Sequence, residues 1–367
     1  MELTYPHDLM HVNNREVPLT KILSGEVTPL SDFESEVFSF ITKWLQGIES
    51  IKLHTSGSTG TPKEITLTRN QLQQSAQRTI KALDLNQNDT AFICLDTKYI
   101  AGKMMLVRAL ENNMKIVAVE PSSNPFKNLT ARDELDFAAF VPLQLQTIMN
   151  KSELHEVLNR MKVILVGGAP VNASLQDALK KLNCSVFATY GMTETVSNIA
   201  LQKLNGSDLS DCFKTLPGIS VEKDERGCLV INVPEIPQSI VTNDLVEVLN
   251  PTAFRWLGRW DTIINSGGIK VSPEKIENEI SPIFKRLNIN SPYFITSMQD
   301  SRLGEKIVLF IEFKLPPLTL NKLREELLSQ TTSHTMPKEI IPFGNFQYTK
   351  SGKIDRKRTL EVYFLNG

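Results

Sequence analysis

The sequence predicts a large α/β domain of mostly parallel sheets flanked by helices, followed by a small α+β domain. Three observations predict it. From about Ala91, short apolar runs alternate with helical patterns. Residues 163–166, 172–182 and 185–189 then follow in the strand, helix, strand order of a compact βαβ unit. Past Asp261 the pattern changes to closely spaced strands interrupted by single helices. Strands separated by helices cannot pair through tight hairpins, so they lie parallel with helices on both faces. The division is placed between Trp260 and Asp261, giving units 1–260 and 261–367.

Taken in order, Phe33, Val37, Phe40, Ile41, Trp44 and Leu45 mark one face of an amphipathic helix. Residues 51–54 and 65–67 read as two strands around a polar loop, the tip of a β-hairpin. A helix follows from Thr68, with a capping box to Gln71 and an apolar stripe at Leu72, Ala76, Ile80 and Leu83. Residues 91–95, 115–119 and 137–141 are strands, with helices at 100–112 and from Pro142. Ligands on such sheets bind beyond the carboxyl ends of the strands. Gly167-Gly168 and Tyr190-Gly191-Met192-Thr193-Glu194 both fall there, which places them in one crevice. Downstream, residues 254–270 are strands joined by a Ser266-Gly267-Gly268 turn, and a helix opens at Ser272-Pro273. Strands at 293–297 and 306–313 and a helix near 318–329 complete the second unit.

Composition removes several classes of function. Hydrophobic residues make up 41% and charged residues 22%, with a net charge of -1, so no electrostatic footprint of nucleic acid or anionic membrane is present. Four cysteines stand far apart without C-x-x-C spacing, which predicts a reduced, cytoplasmic setting and no metal–thiolate centre. The opening residues lack a basic stretch followed by an apolar run, and stretches such as 307–313 are too short to span a bilayer. The expected partners are small molecules.

The loop Thr55-Ser56-Gly57-Ser58-Thr59-Gly60-Thr61-Pro62-Lys63 concentrates hydroxyls, glycines and a lysine. Glycines let backbone N–H groups converge, and hydroxyls and an ammonium add donors, as polyphosphate oxygens require. Composition alone also fits an ordinary Gly/Ser connection. A Walker A loop is excluded, because no G-x-x-x-x-G-K-[ST] occurs and a short strand follows the loop.

The loop resembles the phosphate-binding signature of the adenylate-forming superfamily of acyl-CoA synthetases, peptide-synthetase adenylation domains and luciferases. Four further segments match in the family's order. Tyr190-Gly191-Met192-Thr193-Glu194 resembles the motif that stacks on adenine and supplies a Mg²⁺-associated glutamate, and Gly168 lies beside it at the nucleotide. Asp244 matches the aspartate that binds ribose hydroxyls; the family usually has glycine where Asn243 stands, and asparagine also tolerates positive φ. Gly258-Arg259-Trp260-Asp261 resembles the ribose-contacting arginine and interdomain hinge. Lys350-Ser351-Gly352-Lys353-Ile354-Asp355-Arg356 resembles the terminal motif whose catalytic lysine is here Lys353. Singly each has a plain structural reading: a turn cap at Asp244, a helix cap at Glu194, an Arg259–Asp261 ion pair, a solvated basic stretch at 350–358. Their shared order argues for a site.

The resemblance implies attack of a substrate carboxylate on the α-phosphorus of ATP, then transfer of the acyl group to coenzyme A. The catalytic set would be Lys353, Glu194 and Thr193, with the 261–367 unit a mobile lid turning about Asp261. Gly267 and Gly268 would face the pantetheine. Carboxylates are ionised at neutral pH, so no general base is needed, in keeping with the absence of a triad pattern among the five histidines. Only 54 residues precede the loop, an N-terminally shortened layout that resembles bacterial o-succinylbenzoate–CoA ligases of menaquinone biosynthesis. Ala101, Met104, Met105 and Arg108 share a helix face, and a buried arginine needs an anion. An internal Asp or Glu would serve; the resemblance assigns Arg108 to the substrate's second carboxylate, with Gly167 and Ala169 in the acid pocket. Alternatives are a ligase for another aryl or acyl acid, an enzyme that loads a carrier protein, and a non-catalytic nucleotide-binding module.

Overall fold

Alternation with a period of two sets the layering of the large sheet. In the computed structural model, which describes residues 5–55, 63–127, 129, 134–332, 334–348 and 354–366, each central strand feeds two cores. Ala91 and Ile93 join one core and Phe92 the other. The same split separates Phe137 from Phe140, and Val163 and Leu165 from Ile164 and Val166. Strands buried on both faces need a helical layer on each. The helices Arg69–Ala82 and Ile100–Glu111 supply one, and Pro142–Met149 and Ala173–Leu179 the other.

The strands Ser185–Gly191, Val163–Val166, Phe137–Phe140, Thr90–Ile93, Lys115–Ala118 and Leu9–Val12 pair in that order, all parallel. The expected parallel pairing thus holds for the middle of the sheet. Beyond Ser185–Gly191 the sheet continues antiparallel through Asn198–Lys203, Phe213–Thr215, Ala253–Arg259, Ile240–Asn250, Cys228–Asn232 and Ser220–Lys223. The cause is the connections: between these strands there is only one short 3₁₀ turn, at Thr193–Thr195, and no crossover helix, so the chain folds back.

The front end closes the other edge. Leu9–Val12 turns back as Arg15–Pro18 through Asn13 and Asn14, both at positive φ. Glu34, 1% exposed, accepts from Arg15, Asn13 and the Leu30 N–H. The helix Asp32–Leu45 then docks on the core: the Trp44 indole donates to Glu111 at 3.1 Å, and the Arg69 guanidinium lies 4.2 Å from the Trp44 ring. Ser50–Thr55 and Lys63–Thr68 form the expected hairpin ladder, with Thr55 opposite Lys63. The capping box is present: Thr68 Oγ accepts from Gln71 N–H at 3.3 Å, and Gln71 Oε1 from Thr68 N–H at 2.9 Å.

A second sheet begins past Arg259. Ile264–Ser266 and Ile269–Val271 are joined by Gly267 (φ 60) and Gly268 (φ 83), the positive-φ pair a two-residue hairpin demands. Gly304–Ile311 runs between Tyr293–Asp300 and Glu339–Pro342. Pro273–Arg286 and Pro317–Gln330 cover one face, and Arg356–Asn366 the other. The chain passes from the large sheet to this one between Arg259 and Ile264. Among the described residues no helix is long and apolar enough to cross a membrane.

The last helix is pinned at its start. Arg356 reaches Glu277 at 2.9 Å and Glu274 at 3.4 Å, one turn apart on Pro273–Arg286. Burial pushes the Glu277 carboxyl up to about 7, against the smaller downward pull of Arg356 and the Ile295 N–H. The folded chain therefore holds a proton that the unfolded chain has lost, so stability declines as pH rises from the ordinary value of 4.5 to about 7 and then levels off. We expect the wild-type Tm to fall relative to that of Glu277→Gln over roughly pH 5 to 8. Parallel Tm curves for the two proteins would refute this.

Candidate active site

Two adjacent parallel strands, Val163–Val166 and Ser185–Gly191, end at the same edge, so Gly167, Gly168 and Ala169 lie beside Tyr190 and Gly191. The Gly167 N–H donates to Phe140 O at 3.0 Å, which brings the 140–142 and 167–169 segments together. Gly191 allows a close approach: a Cβ there would stand 2.2 Å from Ser197 O.

Asp244 and Arg259 face each other on neighbouring strands. Asp244, 9% exposed, accepts from the Tyr190 hydroxyl at 2.6 Å and the Trp256 indole at 3.2 Å. Burial, and then the adjacent Asp244 carboxylate, push the Tyr190 phenol far above its usual range, so it stays a donor. Its ring packs against Phe213 and edge-on to Phe254, at 5.7 and 5.1 Å. Arg259 lies 3.8 Å from Asp244 and grips Asp261 through two hydrogen bonds of 2.8 and 2.7 Å. Those bonds hold the Asp261 carboxyl below its usual range. The Arg259–Asp261 ion pair is therefore present, with Asp244 beside it. Asn243 needs correction: it sits in the strand Ile240–Asn250 without positive φ, so its tolerance of that region is unused. Its side-chain oxygen accepts from Arg226 at 3.0 Å.

Arg108 is 2% exposed, and its helix is buried from Met104 to Leu110 rather than along one stripe. One terminal nitrogen donates to Ser197 Oγ at 2.7 Å and Asn198 Oδ1 at 2.6 Å, the other lies 3.9 Å from Met105 Sδ, and Nε has no partner. No carboxylate pairs with it among the described residues. Burial alone pushes its pKa down, to about 10. Ser197 is placed by a tight turn: Val196 has φ 70 and ψ -54, and Ser197 N–H donates to Thr195 O at 2.8 Å. That is a γ-turn with positive φ at a β-branched residue, a conformation that costs roughly 1–3 kcal/mol and clusters at functional sites.

Thr193 and Glu194 occupy the 3₁₀ turn just before it. Glu194 is exposed, and its carboxylate has no partner among the described residues. Ser56, Gly57, Ser58, Thr59, Gly60 and Lys353 lie outside the described residues, and of Thr55 and Lys63 only the backbone is described. Sequence reasoning missed Trp256, Ser197, Asn198 and Thr79. Trp256 carried only a strand signal, while Ser197-Asn198 follows the Tyr190–Glu194 motif after two intervening residues and could have been read from that position.

Tyr190, Asp244 and Arg259 thus converge at the strand ends, where ligands bind in open α/β sheets, and Arg108 is a separate buried cation held by Ser197 and Asn198. Residues 51–230 match the family of AMP-binding enzymes. An acyl-CoA synthetase (AMP-forming)/AMP-acid ligase II-like protein from Dyadobacter fermentans is 41% identical, the match covering 93% of this chain and 97% of that one, with a TM-score of 0.62. The 2-succinylbenzoate–CoA ligase of Lactococcus lactis is 23% identical over 84% of this chain and 70% of its own length. Other such ligases are matched over 57% to 81% of their length. The Bacillus subtilis o-succinylbenzoate CoA synthetase in complex with its acyl-adenylate OSB-AMP is 16% identical, covering 97% of this chain and 96% of that one, with a TM-score of 0.75. The chain belongs to the AMP-binding enzyme family, among the AMP-forming acid–CoA ligases.

Proposed function

We propose that the chain activates o-succinylbenzoate with ATP and passes the acyl group to coenzyme A. The observation that carries the substrate is Arg108, a buried cation without a carboxylate of its own among the described residues. A buried guanidinium unpaired by the protein suits an acid with a carboxylate to spare. The similarity to 2-succinylbenzoate–CoA ligases supports the same acid.

In the first step a carboxylate oxygen bonds to the α-phosphorus of ATP while the bond to the bridging oxygen breaks and pyrophosphate leaves. No proton moves. Both reactants are anions, so alignment and charge neutralisation dominate the barrier. Tyr190, Asp244 and Arg259 hold the adenosine, the loop from Thr55 to Lys63 grips the β- and γ-phosphates, and Lys353 serves the α-phosphate and the carboxylate. Glu194, an exposed oxygen donor without a partner among the described residues, would hold Mg²⁺, which would offset phosphate charge there. In the second step the thiol sulfur of coenzyme A attacks the acyl carbon, the bond to AMP breaks, and the thiol proton passes to solvent. The segment at Asp261 is the turning point that brings Gly267 and Gly268 to the pantetheine.

An AMP-release assay with and without coenzyme A, across aryl and alkyl acids, tests this reading. Release should be fastest with o-succinylbenzoate and yield its CoA thioester. Equal rates with monocarboxylic acids would remove the substrate assignment, and AMP release without thioester would remove coenzyme A.

A further inference from the structure

Arg108 is surrounded by neutral acceptors, and one of them occupies the place where a carboxylate would ordinarily meet a buried guanidinium. Asn198 is 8% exposed, and its Oδ1 accepts from Arg108 at 2.6 Å and from Ser197 Oγ at 3.1 Å. Its Nδ2 donates to Thr79 Oγ at 3.3 Å, and Thr79 in turn donates to Ser75 O at 3.2 Å within the helix Arg69–Ala82. The amide is therefore fixed from two sides. An amide oxygen satisfies the N–H geometry of the guanidinium but not its charge, and Arg108 Nε is left without a partner.

We propose that Asn198 is a positioning residue that determines acid specificity: it aims Arg108 while leaving its charge uncompensated, so that the substrate's second carboxylate completes the pair. The inference rests on the reading of the chain as an acid–CoA ligase. Its chemical core is the choice of amide over carboxylate at one position. Ser197, the other acceptor, is set by the turn at Val196, directly after Thr193 and Glu194. The receptor for the remote carboxylate is thereby built onto the same short segment as the nucleotide motif.

Asn198→Asp keeps the shape and adds the missing charge, so it separates this role from simple packing. Full-length wild type, Asn198→Asp and Asn198→Ala would be compared by KM for acid, KM for ATP and Tm without ligand. The acids are o-succinylbenzoate and its analogues with either carboxylate replaced by hydrogen. In Asn198→Asp the KM for o-succinylbenzoate should rise about 10²-fold, as for a lost charge partner, with the ATP KM within about twofold. The preference for two carboxylates should vanish, and Tm should rise by roughly 2–4 °C because the buried charge is now paired. Asn198→Ala should raise the acid KM yet keep that preference, since Arg108 remains uncompensated. A retained preference in Asn198→Asp, or a joint loss for acid and ATP with a lower Tm, overturns the proposal. Should the wild type not use o-succinylbenzoate, the ligase substrate fails there, and the receptor is read separately by titrating benzoate and phthalate. Both should raise the Tm of wild type but not of Asn198→Asp; equal shifts overturn the proposal.

Discussion

Arg108→Met is expected to lower the kcat/KM for o-succinylbenzoate by roughly 10²–10³-fold, while the KM for ATP stays within about twofold and Tm is unchanged or higher. The asymmetry follows from where the charge sits. Removing one partner of a buried charged contact costs about 2–5 kcal/mol of binding, much of it from stranding the other charge away from water. In the unliganded chain the stranded charge is Arg108 itself, held by Ser197 and Asn198 without a carboxylate among the described residues. Methionine has similar volume and no charge, so it relieves that cost in the free protein and transfers it to the complex. Asn198 Oδ1 keeps the Ser197 hydroxyl as a donor, so the substitution leaves that acceptor paired. Measuring acid and ATP kinetics together with Tm gives the discriminating pattern. A loss of Tm with both KM values raised would make Arg108 a structural residue. An unchanged acid KM would remove it from the substrate site.

The same residue shows how far the sequence reaches. Helical spacing places Arg108 beside Met104 and Met105, which is enough to require a partner anion. Spacing cannot say whether the partner is internal, because Ser197 and Asn198 are 89 and 90 residues away and meet Arg108 only through the sheet. The parallel strands were legible for a related reason. Each is a continuous apolar run between helices, and burial on both faces leaves few other sequences possible. The antiparallel continuation from Asn198 to Asn250 was not read: its strands are joined by turns rather than crossover helices, so no strand–helix rhythm marks their order. Motif order located Tyr190, Asp244 and Arg259 correctly as neighbours. The Arg259–Asp261 ion pair was one of the plain structural readings, but that Trp256 donates to Asp244 was not legible. The front end was the least legible part. Its amphipathic helix was evident, but pairing of Leu9–Val12 with Lys115–Ala118 depends on a contact across a hundred residues of chain.

Lys353→Ala is expected to slow acid-dependent pyrophosphate exchange by roughly 10²–10³-fold, the loss typical of one preorganised donor at a site of developing charge. The argument is electrostatic. Substrate carboxylate and polyphosphate repel, and the site must hold them in line without a proton transfer to help. An ammonium aimed at the shared oxygens acts in both the ground state and the transition state, but most strongly where the negative charge is concentrated. Alanine removes the donor and leaves the proposed adenosine contacts of Tyr190, Asp244 and Arg259, so the KM for ATP should change far less than kcat. The residue that follows three positions later gives an internal control. Arg356 is anchored to Glu277 and Glu274 within the second unit. Arg356→Ala should therefore lower the Tm of that unit, whereas Lys353→Ala should leave Tm as it is. Near-normal exchange in Lys353→Ala would sink the catalytic assignment, and a matching drop in Tm for both variants would reduce Lys353 to a structural role.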